Sequence, residues 1–261
     1  MAVSLTDFVQ GCIMFVALIL VPAVALMQVG GLGGMAETVR GVDPGLLDLF
    51  KGATAISIIS AMAWGLGYFG QPHIIVRFMA VRSVRDIPTT RNIGMSWMLV
   101  TLIGALATGL VGLAYATQTG LAVTDPETIF ILLSDVLFHP LITGFLLAAI
   151  LAAIMSTISS QLLVSSSSLT EDFYAVFLRK DAPQKELVMI GRLAVLAVSL
   201  AAIYLAWNPE NSVLGLVSNA WAGFGAAFGP LVILSLTWKR MTRNGALAGI
   251  IVGAVTVLFW I

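Results

Sequence analysis

The chain has 261 residues, of which 59% are hydrophobic and 10% are charged, whereas soluble domains contain about 25% charged residues. This composition excludes an ordinary soluble domain and predicts a membrane protein. The net charge is zero, so no overall attraction favours nucleic acid or an acidic partner. The single cysteine, Cys12, excludes a disulfide framework, and its apolar surroundings favour a buried thiol.

Seven stretches are long and apolar enough to cross a bilayer as helices, which requires about 20 residues each. We therefore predict an all-α, polytopic protein with a single transmembrane domain over residues 1–261. The first span lacks the basic flank of a signal peptide and the last lacks a polar flank, so we expect a fragment of a longer protein. The predicted spans are 8–30, 53–75, 94–116, 140–168, 189–207, 213–238 and 245–261.

Positive charge alternates between successive loops. Eleven of the thirteen Lys and Arg residues lie in or beside the loops that follow spans two, four and six. Only Arg40 and Lys51 lie in the alternate loops. Because cytoplasmic loops are enriched in Lys and Arg, the three basic loops are predicted to face the cytoplasm.

Asp7 lies near the start of the first span. Carboxylates are costly within a bilayer, so their presence there points to a specific role. Two roles are open for Asp7: capping the N-terminus of the helix, or relaying an ion.

The second predicted span contains its own helix breakers. In "WGLGYFGQPH", Gly65, Gly67, Gly70 and Pro72 weaken helix propensity, and Pro72 also removes an amide donor. Free backbone groups are tolerated in hydrocarbon only where protein or a water-filled cavity satisfies them. The stretch therefore predicts an interrupted helix beside an internal site.

Aromatic and polar side chains flank this break. Trp64 and Tyr68 are four residues apart on one helix face, and Gln71 and His73 flank Pro72. Two rings with polar tips suit a zwitterionic or ring-bearing ligand. The alternative is an interface belt, because Trp and Tyr mark membrane interfaces and Gly and Pro are common in membrane helices. The pattern leaves both interpretations open.

The segments on either side of residue 139 have unusual lengths. Residues 125–137 are too short to span, and Thr124 stands three residues before Glu127, as in a capping box. We predict a short external helix there, which serves as a connector or as a lid. An unbroken helix from Pro140 to Arg179 would measure roughly 60 Å, so it must tilt, bend or extend into the cytoplasm.

The fourth span is rich in hydroxyl groups. Ala153, Ser156, Thr157 and Ser160 follow helical spacing and lie on one stripe. The hydroxyls of Ser156 and Thr157 and the carbonyl of Ala153 are oxygen ligands that suit sodium. More commonly, such residues bond the carbonyl one turn back or hold helices together, and this alternative stays open.

The last two spans contain many small residues, and the chain has few candidates for catalysis. "AWAGFGAAFGPL" favours close packing between helices, with Pro230 expected to kink its span. His73 and His139 are the only histidines, and neither a His-Glu-x-x-His motif nor a Ser-His-Asp set is evident. The sequence therefore does not indicate an enzyme.

Four stretches resemble the sodium:solute symporter family: "WGLGYFGQPHIIVRFMA", "ILAAIMSTISSQLLVSSSSLTEDFY", "DAPQKELVMIGR" and "SNAWAGFGAAFGPLVILSLTWKRMTRNGALAGIIVGA". The likeness covers nearly the whole chain and is closer to the proline carriers of the family than to its sugar carriers. It implies a leucine-transporter-type inverted-repeat fold. This chain would hold the last helix of repeat one, all of repeat two and the start of a trailing helix, without the N-terminal helices that complete both sites.

The resemblance also implies sodium-coupled uptake of L-proline across the bacterial cytoplasmic membrane by alternating access, with the sodium ion co-transported. It assigns roles to individual residues. Trp64, Tyr68 and Pro72, with Gln71 beside them, match substrate positions; Ala153, Ser156 and Thr157 match half of a sodium site; Asp7 matches a carboxylate implicated in ion coupling.

Other functions share this hydrophobicity and topology. A sodium symporter for another amino acid or a small carboxylate would differ only in its pocket. A passive channel or membrane scaffold belongs to another class, but a channel needs a selectivity ring, and neither an acidic ring nor a filter motif is evident. Substrate-dependent sodium binding would separate the symporter from the channel.

Overall fold

The computed structural model describes residues 2–207 and 212–260, and all the secondary structure within them is helical. Short 3₁₀ helices cover Pro44–Leu47, Tyr68–Gly70, Val84–Asp86 and Pro126–Thr128, and a π-helix covers Ser168–Leu178. The α-helices are α1 (Ala2–Gln28), α2 (Gly31–Val42), α3 (Ala55–Gly67), α4 (Pro72–Met79), α5 (Ile87–Thr119), α6 (Ile129–Leu137), α7 (Pro140–Ser167), α8 (Gln184–Leu205), α9 (Val213–Thr237) and α10 (Arg243–Trp260).

Within the described residues, six helical segments are long and apolar enough to cross a membrane. A shorter apolar stretch, Ala55–Gly70, lies at the second predicted span. The chain is a polytopic all-α membrane protein, as the sequence predicts, whereas the inverted-repeat arrangement and the single domain of seven spans stay predictions. The six segments are Leu5–Gln28, Val84–Thr119, Pro140–Leu178, Gln184–Leu205, Val213–Thr237 and Arg243–Trp260.

The chain forms two compact units, and the first contains residues up to 53 together with 83–159. Its core lies where α1 packs on α5. Val21 and Ala25 of α1 and Val111 and Ala114 of α5 are fully or almost fully buried. A side chain at Gly104 would place its Cβ 2.4 Å from the carbonyl oxygen of Leu18, so only glycine permits this approach of the two backbones.

Cys12 is exposed, so the prediction of a buried thiol is wrong. The buried face of α1 is set by Val21, which is completely buried. Cys12 precedes Val21 by nine residues, and at about 100° per residue it lies on the opposite side of the helix. An apolar run around a cysteine therefore did not reveal which face packs.

The predicted external helix begins differently from its expected cap. The 3₁₀ turn Pro126–Thr128 leads directly into α6. Asp125 Oδ1 accepts a hydrogen bond of 2.9 Å from the Glu127 amide, so the predicted cap at Thr124 is wrong. Asp125 directly precedes Pro126 at the first helical position, where a short carboxylate reaches the amide two residues ahead.

The second unit contains residues 54–82 and the described residues from 160 onward, and its largest contact is between α9 and α10. A Cβ at Gly253 of α10 would lie 2.2 Å from the Ala226 carbonyl oxygen of α9. The predicted close packing of small residues is therefore confirmed for this pair. Helix α9 continues through Pro230 to Thr237.

The long fourth segment changes its helical pitch instead of ending. Helix α7 continues into the π-helix, where the Arg179 amide donates to the Tyr174 carbonyl five residues earlier at 2.9 Å. The Arg179 guanidinium contacts the Glu186 carboxylate at 2.6 Å, and the Tyr174 hydroxyl donates to the same carboxylate. Hydrogen bonding to Glu186 raises the pKa of Arg179. These contacts fix the turn that leads into α8.

Candidate functional site

The predicted interruption is confirmed at Gln71. Helix α3 ends at Gly67, a single 3₁₀ turn follows, and Gln71 is extended with φ −88° and ψ 109°. Pro72 then occupies the first turn of α4, where its missing amide costs nothing and its fixed φ suits the helix. The glycines and Pro72 therefore act together: α3 ends at Gly67, and Pro72 starts α4.

Glycines allow the interrupted segment to lie directly on α9. A Cβ at Gly70 would lie 2.3 Å from the Phe224 carbonyl oxygen and 2.7 Å from Gly225 Cα. These neighbours are backbone atoms, which cannot turn aside as a flexible side chain can. A Cβ on Gly225 would in turn lie 3.0 Å from Gly67 Cα. The glycines therefore serve packing as well as the break.

The indole of Trp221, on α9, binds the end of α3. Its Nε1 donates a 3.0 Å hydrogen bond to the carbonyl oxygen of Trp64. That carbonyl belongs to the last four of α3, which the α-helical pattern leaves without a partner. A side chain from another helix thus satisfies a backbone group that the interruption releases.

Trp221 also contacts the two predicted ligand-binding rings. It stacks on Trp64 with ring centroids 5.6 Å apart and an interplanar angle of 14°, and it meets Tyr68 edge-on at 4.7 Å and 83°. The side chain of Gln71 is buried, and its Nε2 makes a long contact of 3.5 Å with the Trp221 carbonyl oxygen. Three of the four predicted substrate residues therefore meet one residue of α9.

A cavity of about 760 Å³ lies beside this cluster. Its wall is mostly apolar, with hydroxyl and amide groups from Ser60, Ser218 and Asn219. Trp64 and Trp221 line it, whereas Tyr68, Gln71 and Pro72 do not. The cavity therefore joins only one of the four predicted substrate residues to α9.

Beyond the break, α4 is held by a second polar contact. Arg77 Nη2 donates a 3.0 Å hydrogen bond to Ser160 Oγ. The sequence places Ser160 on the stripe predicted to bind sodium, and the structure gives its hydroxyl an arginine neighbour. A cationic donor at this oxygen disfavours a metal cation there. We therefore do not add Ser160 to the three predicted sodium ligands.

The predicted sodium residues converge on one carbonyl. Ser156 Oγ and Thr157 Oγ1 each donate to the Ala153 carbonyl oxygen at 3.1 Å. This is the local bonding that the alternative interpretation expects of hydroxyls in membrane helices. A hydroxyl that donates keeps lone pairs that can face a cation, so the arrangement is compatible with both interpretations.

Asp7 lies inside α1, five residues after its first residue, so the capping alternative is wrong. Its side chain is half-buried, and within residues 2–207 and 212–260 it makes no hydrogen bond or ion pair. The second alternative, a role in relaying an ion, stays a prediction.

Comparison with known proteins identifies the family. Residues 1–253 match the profile of the sodium:solute symporter family. The chain belongs to that family. No solved structure gives a significant match.

Several bacterial relatives match across the whole chain. It is 64% identical to the high-affinity proline transporter PutP of Bacillus subtilis over 260 residues, all of this chain and 55% of the relative. It is 62% identical to the osmoregulated proline transporter OpuE of the same organism, covering 53% of it. It is 57% identical to sodium/proline symporter 2 of Staphylococcus saprophyticus, covering 52%. The chain thus spans about half the length of these relatives.

No sequence pattern indicates that Trp221 contacts the interrupted segment. The small residues of its stretch, "SNAWAGFGAAFG", predict close packing between helices and indicate nothing about the indole. One signal was available: Trp221 is the only aromatic residue of α9 with a polar atom, since the others are Phe224 and Phe228. An indole N–H within an apolar span favours a hydrogen-bond acceptor, and an interrupted helix offers one.

Proposed function

We propose that the full-length protein containing this chain is a sodium/proline symporter of the bacterial cytoplasmic membrane. It imports L-proline together with sodium by alternating access. The observation that supports this most directly is the interruption at Gln71, where backbone groups and aromatic rings meet within an apolar segment. The names of the three relatives described above specify proline, and that of the Staphylococcus saprophyticus relative also specifies sodium.

The interrupted segment offers what proline requires. Proline has a secondary ammonium group, a carboxylate and a compact apolar ring. Aromatic faces such as those of Trp64 and Tyr68 attract a cation and pack against an apolar ring. The turn from Gly67 to Pro72 adds amide donors and carbonyl acceptors for the charged ends. We assign substrate binding to Trp64, Tyr68, Gln71 and Pro72.

Sodium is assigned to the hydroxyl-rich turn of α7. The Ala153 carbonyl and the Ser156 and Thr157 hydroxyls provide three neutral oxygens within one helical turn. Hard cations prefer such ligands. The remaining ligands are assigned to helices of the longer protein, and Asp7 is assigned to ion coupling because it is a half-buried carboxylate in a membrane-spanning helix.

Coupling follows from linked binding. If sodium tightens proline binding, proline must tighten sodium binding by the same factor. A membrane potential of about 100 mV adds about 2.3 kcal/mol for each charge that enters, which drives accumulation beyond the sodium gradient itself. No covalent chemistry is required, so the protein acts as a secondary transporter and not as an enzyme.

The test is uptake of labelled proline by the full-length protein in vesicles, with and without an inward sodium gradient. We expect accumulation only with the gradient. Equal uptake without sodium contradicts the proposal. Excess unlabelled amino acids and small carboxylates identify a different substrate if one of them competes better than proline. A channel would equilibrate its solute without accumulating it.

A further inference from the structure

The structure draws attention to one residue that the proposed sites do not include. Trp221 contacts Trp64 through both its ring and its N–H, contacts Tyr68 through its ring, and lies beside Gln71. It stands 157 residues from Trp64 along the chain. We propose that Trp221 is a positioning residue that holds the interrupted segment in the shape that binds substrate. This inference rests on the proposed function.

The hydrogen bond from the Trp221 indole to the Trp64 carbonyl is one basis for this role. The carbonyl of Trp64 lies at the end of α3 inside an apolar segment, where water is scarce and an unpaired carbonyl is costly. The Trp221 indole supplies its donor. Without this donor, the end of α3 would have to rearrange to find another partner. The donor on α9 therefore stabilises the end of α3, which the glycines and Pro72 interrupt.

The close contact between Gly67 and the Trp221 indole also supports this role. A Cβ at Gly67 would lie 2.2 Å from Trp221 Nε1 and 2.6 Å from its Cδ1. Only glycine leaves room for the indole in this position. Gly67, which weakens the helix, therefore also makes room for the Trp221 indole that binds the Trp64 carbonyl. Packing at an unspecific interface would not require such a fit.

Packing among the rings of Trp221, Trp64 and Tyr68 restricts their motion. Trp221 lies against one face of the Trp64 ring and meets the Tyr68 ring edge-on, both within contact range of aromatic pairs. A ring packed in this way samples fewer rotamers before a ligand arrives. Binding then loses less side-chain entropy, so Trp221 increases affinity through its effect on Trp64 and Tyr68.

The experiment compares Trp221→Phe with Trp97→Phe in the full-length protein. Both variants exchange an indole for a phenyl ring, but within the described part of the chain Trp97 Nε1 has no hydrogen bond. We expect Trp221→Phe to raise the KM for proline about tenfold, with the maximal rate within about twofold of wild type, because the donor to the Trp64 carbonyl inside the apolar segment is lost. Trp97→Phe should change neither value. An unchanged KM in Trp221→Phe overturns the proposal, whether or not the maximal rate falls.

A second variant and a second measurement keep this test independent of folding and of substrate. Gly67→Ala should push the indole away and raise KM, and it should have little further effect in a Trp221→Ala background, because the two residues act through one contact. Additive effects in the double variant overturn the proposal. If the Trp221 variants do not fold, the KM of Gly67→Ala decides alone, and an unchanged KM overturns the proposal.

Hydrogen exchange of residues 64–71 in the ligand-free protein separates this inference from the proposed function. Exchange should accelerate in Trp221→Phe but not in Trp97→Phe. Faster exchange in a protein that transports no proline would refute the symporter and retain the positioning role. Unchanged exchange would refute the positioning role alone.

Discussion

The interrupted segment, residues 55–79, and helix α7 both place polar groups within apolar sequence, but they satisfy these groups differently. In the interrupted segment the Trp64 carbonyl receives its donor from Trp221, far along the chain. In α7 the Ser156 and Thr157 hydroxyls bond the Ala153 carbonyl of the same helical turn. The first hydrogen bond depends on tertiary packing, and the two hydroxyl bonds in α7 lie within one helix.

This difference predicts how each region responds to substitution. Changes in the interrupted segment should disturb folding and ligand binding together, because α9 supports both. Changes to the α7 hydroxyls should leave the fold almost intact and reveal their role in ion binding directly. One variant in each region tests this contrast, and two further variants, at Asp7 and Asp43, extend it to carboxylates elsewhere in the chain.

Gly70→Ala should have the largest effect. Its Cβ would meet the backbone of Phe224 and Gly225 at 2.3 and 2.7 Å, and backbone atoms cannot yield as side chains do. We expect a loss of roughly 3 kcal/mol of stability, measured by thermal unfolding of the detergent-solubilised full-length protein. Gly65→Ala is the matched control, because a Cβ there meets nothing within 4 Å. Equal stability of the two variants would show that α9 does not support the break.

Ser156→Ala combined with Thr157→Ala should affect the ion more than the fold. We expect the sodium concentration for half-maximal proline uptake to rise at least about tenfold, because two oxygen ligands are lost. Stability should fall by less than about 1 kcal/mol, because each hydroxyl bonds locally. Ser166→Ala is the control, since Ser166 Oγ makes the same kind of bond to Leu163 at 3.1 Å. Parallel losses of sodium activation and stability would instead favour helix packing.

Asp7→Asn should produce a smaller effect on the same measurement. Within the described residues, Asp7 makes no hydrogen bond or ion pair, so its loss should hardly change stability. We expect the half-activating sodium concentration to rise about fivefold, at the lower end of typical coupling. An exposed carboxylate outside the spans, Glu37, provides the control substitution Glu37→Gln. An identical response of both variants would remove Asp7 from ion coupling.

The smallest effect is expected at Asp43, which is another locally satisfied group but is fully exposed. The amide of Gly45 and then Lys51 hold the pKa of its carboxyl below the ordinary value. The interaction therefore contributes fully above the ordinary pKa of an aspartate and is lost as the pH falls through the lowered value. Acid titration of unfolding should show a slight difference between wild type and Asp43→Asn at neutral pH that disappears in acid. A difference that grows in acid would contradict this sign.

Local features of the site could be predicted from the sequence because they depend on neighbouring residues. The glycines and Pro72 restrict the backbone wherever they occur, so the break at Gln71 followed from propensity alone. The stripe of Ala153, Ser156 and Thr157 followed from helical spacing. In both cases the determining residues lie within about two turns of each other.

Features that depend on distant contacts could not be predicted. Trp221 reaches Trp64 across 157 residues, and no periodicity in either stretch indicates this pairing. The exposure of Cys12 likewise depends on which face of α1 packs on α5. The error at Thr124 was of another kind, since Asp125 offered a nearer acceptor that the capping-box pattern overlooks.

The π-helix at Ser168–Leu178 restricts how many residues this stretch of the chain can contain. Wider turns of this kind accommodate extra residues within a helix. Deleting one residue between Ser168 and Tyr174 would rotate the later side chains of this helix by roughly a quarter of a turn around the axis. Tyr174 would then turn away from Glu186, which it contacts here. Related proteins that keep this tyrosine and glutamate in contact should therefore tolerate substitutions in this stretch far better than insertions or deletions.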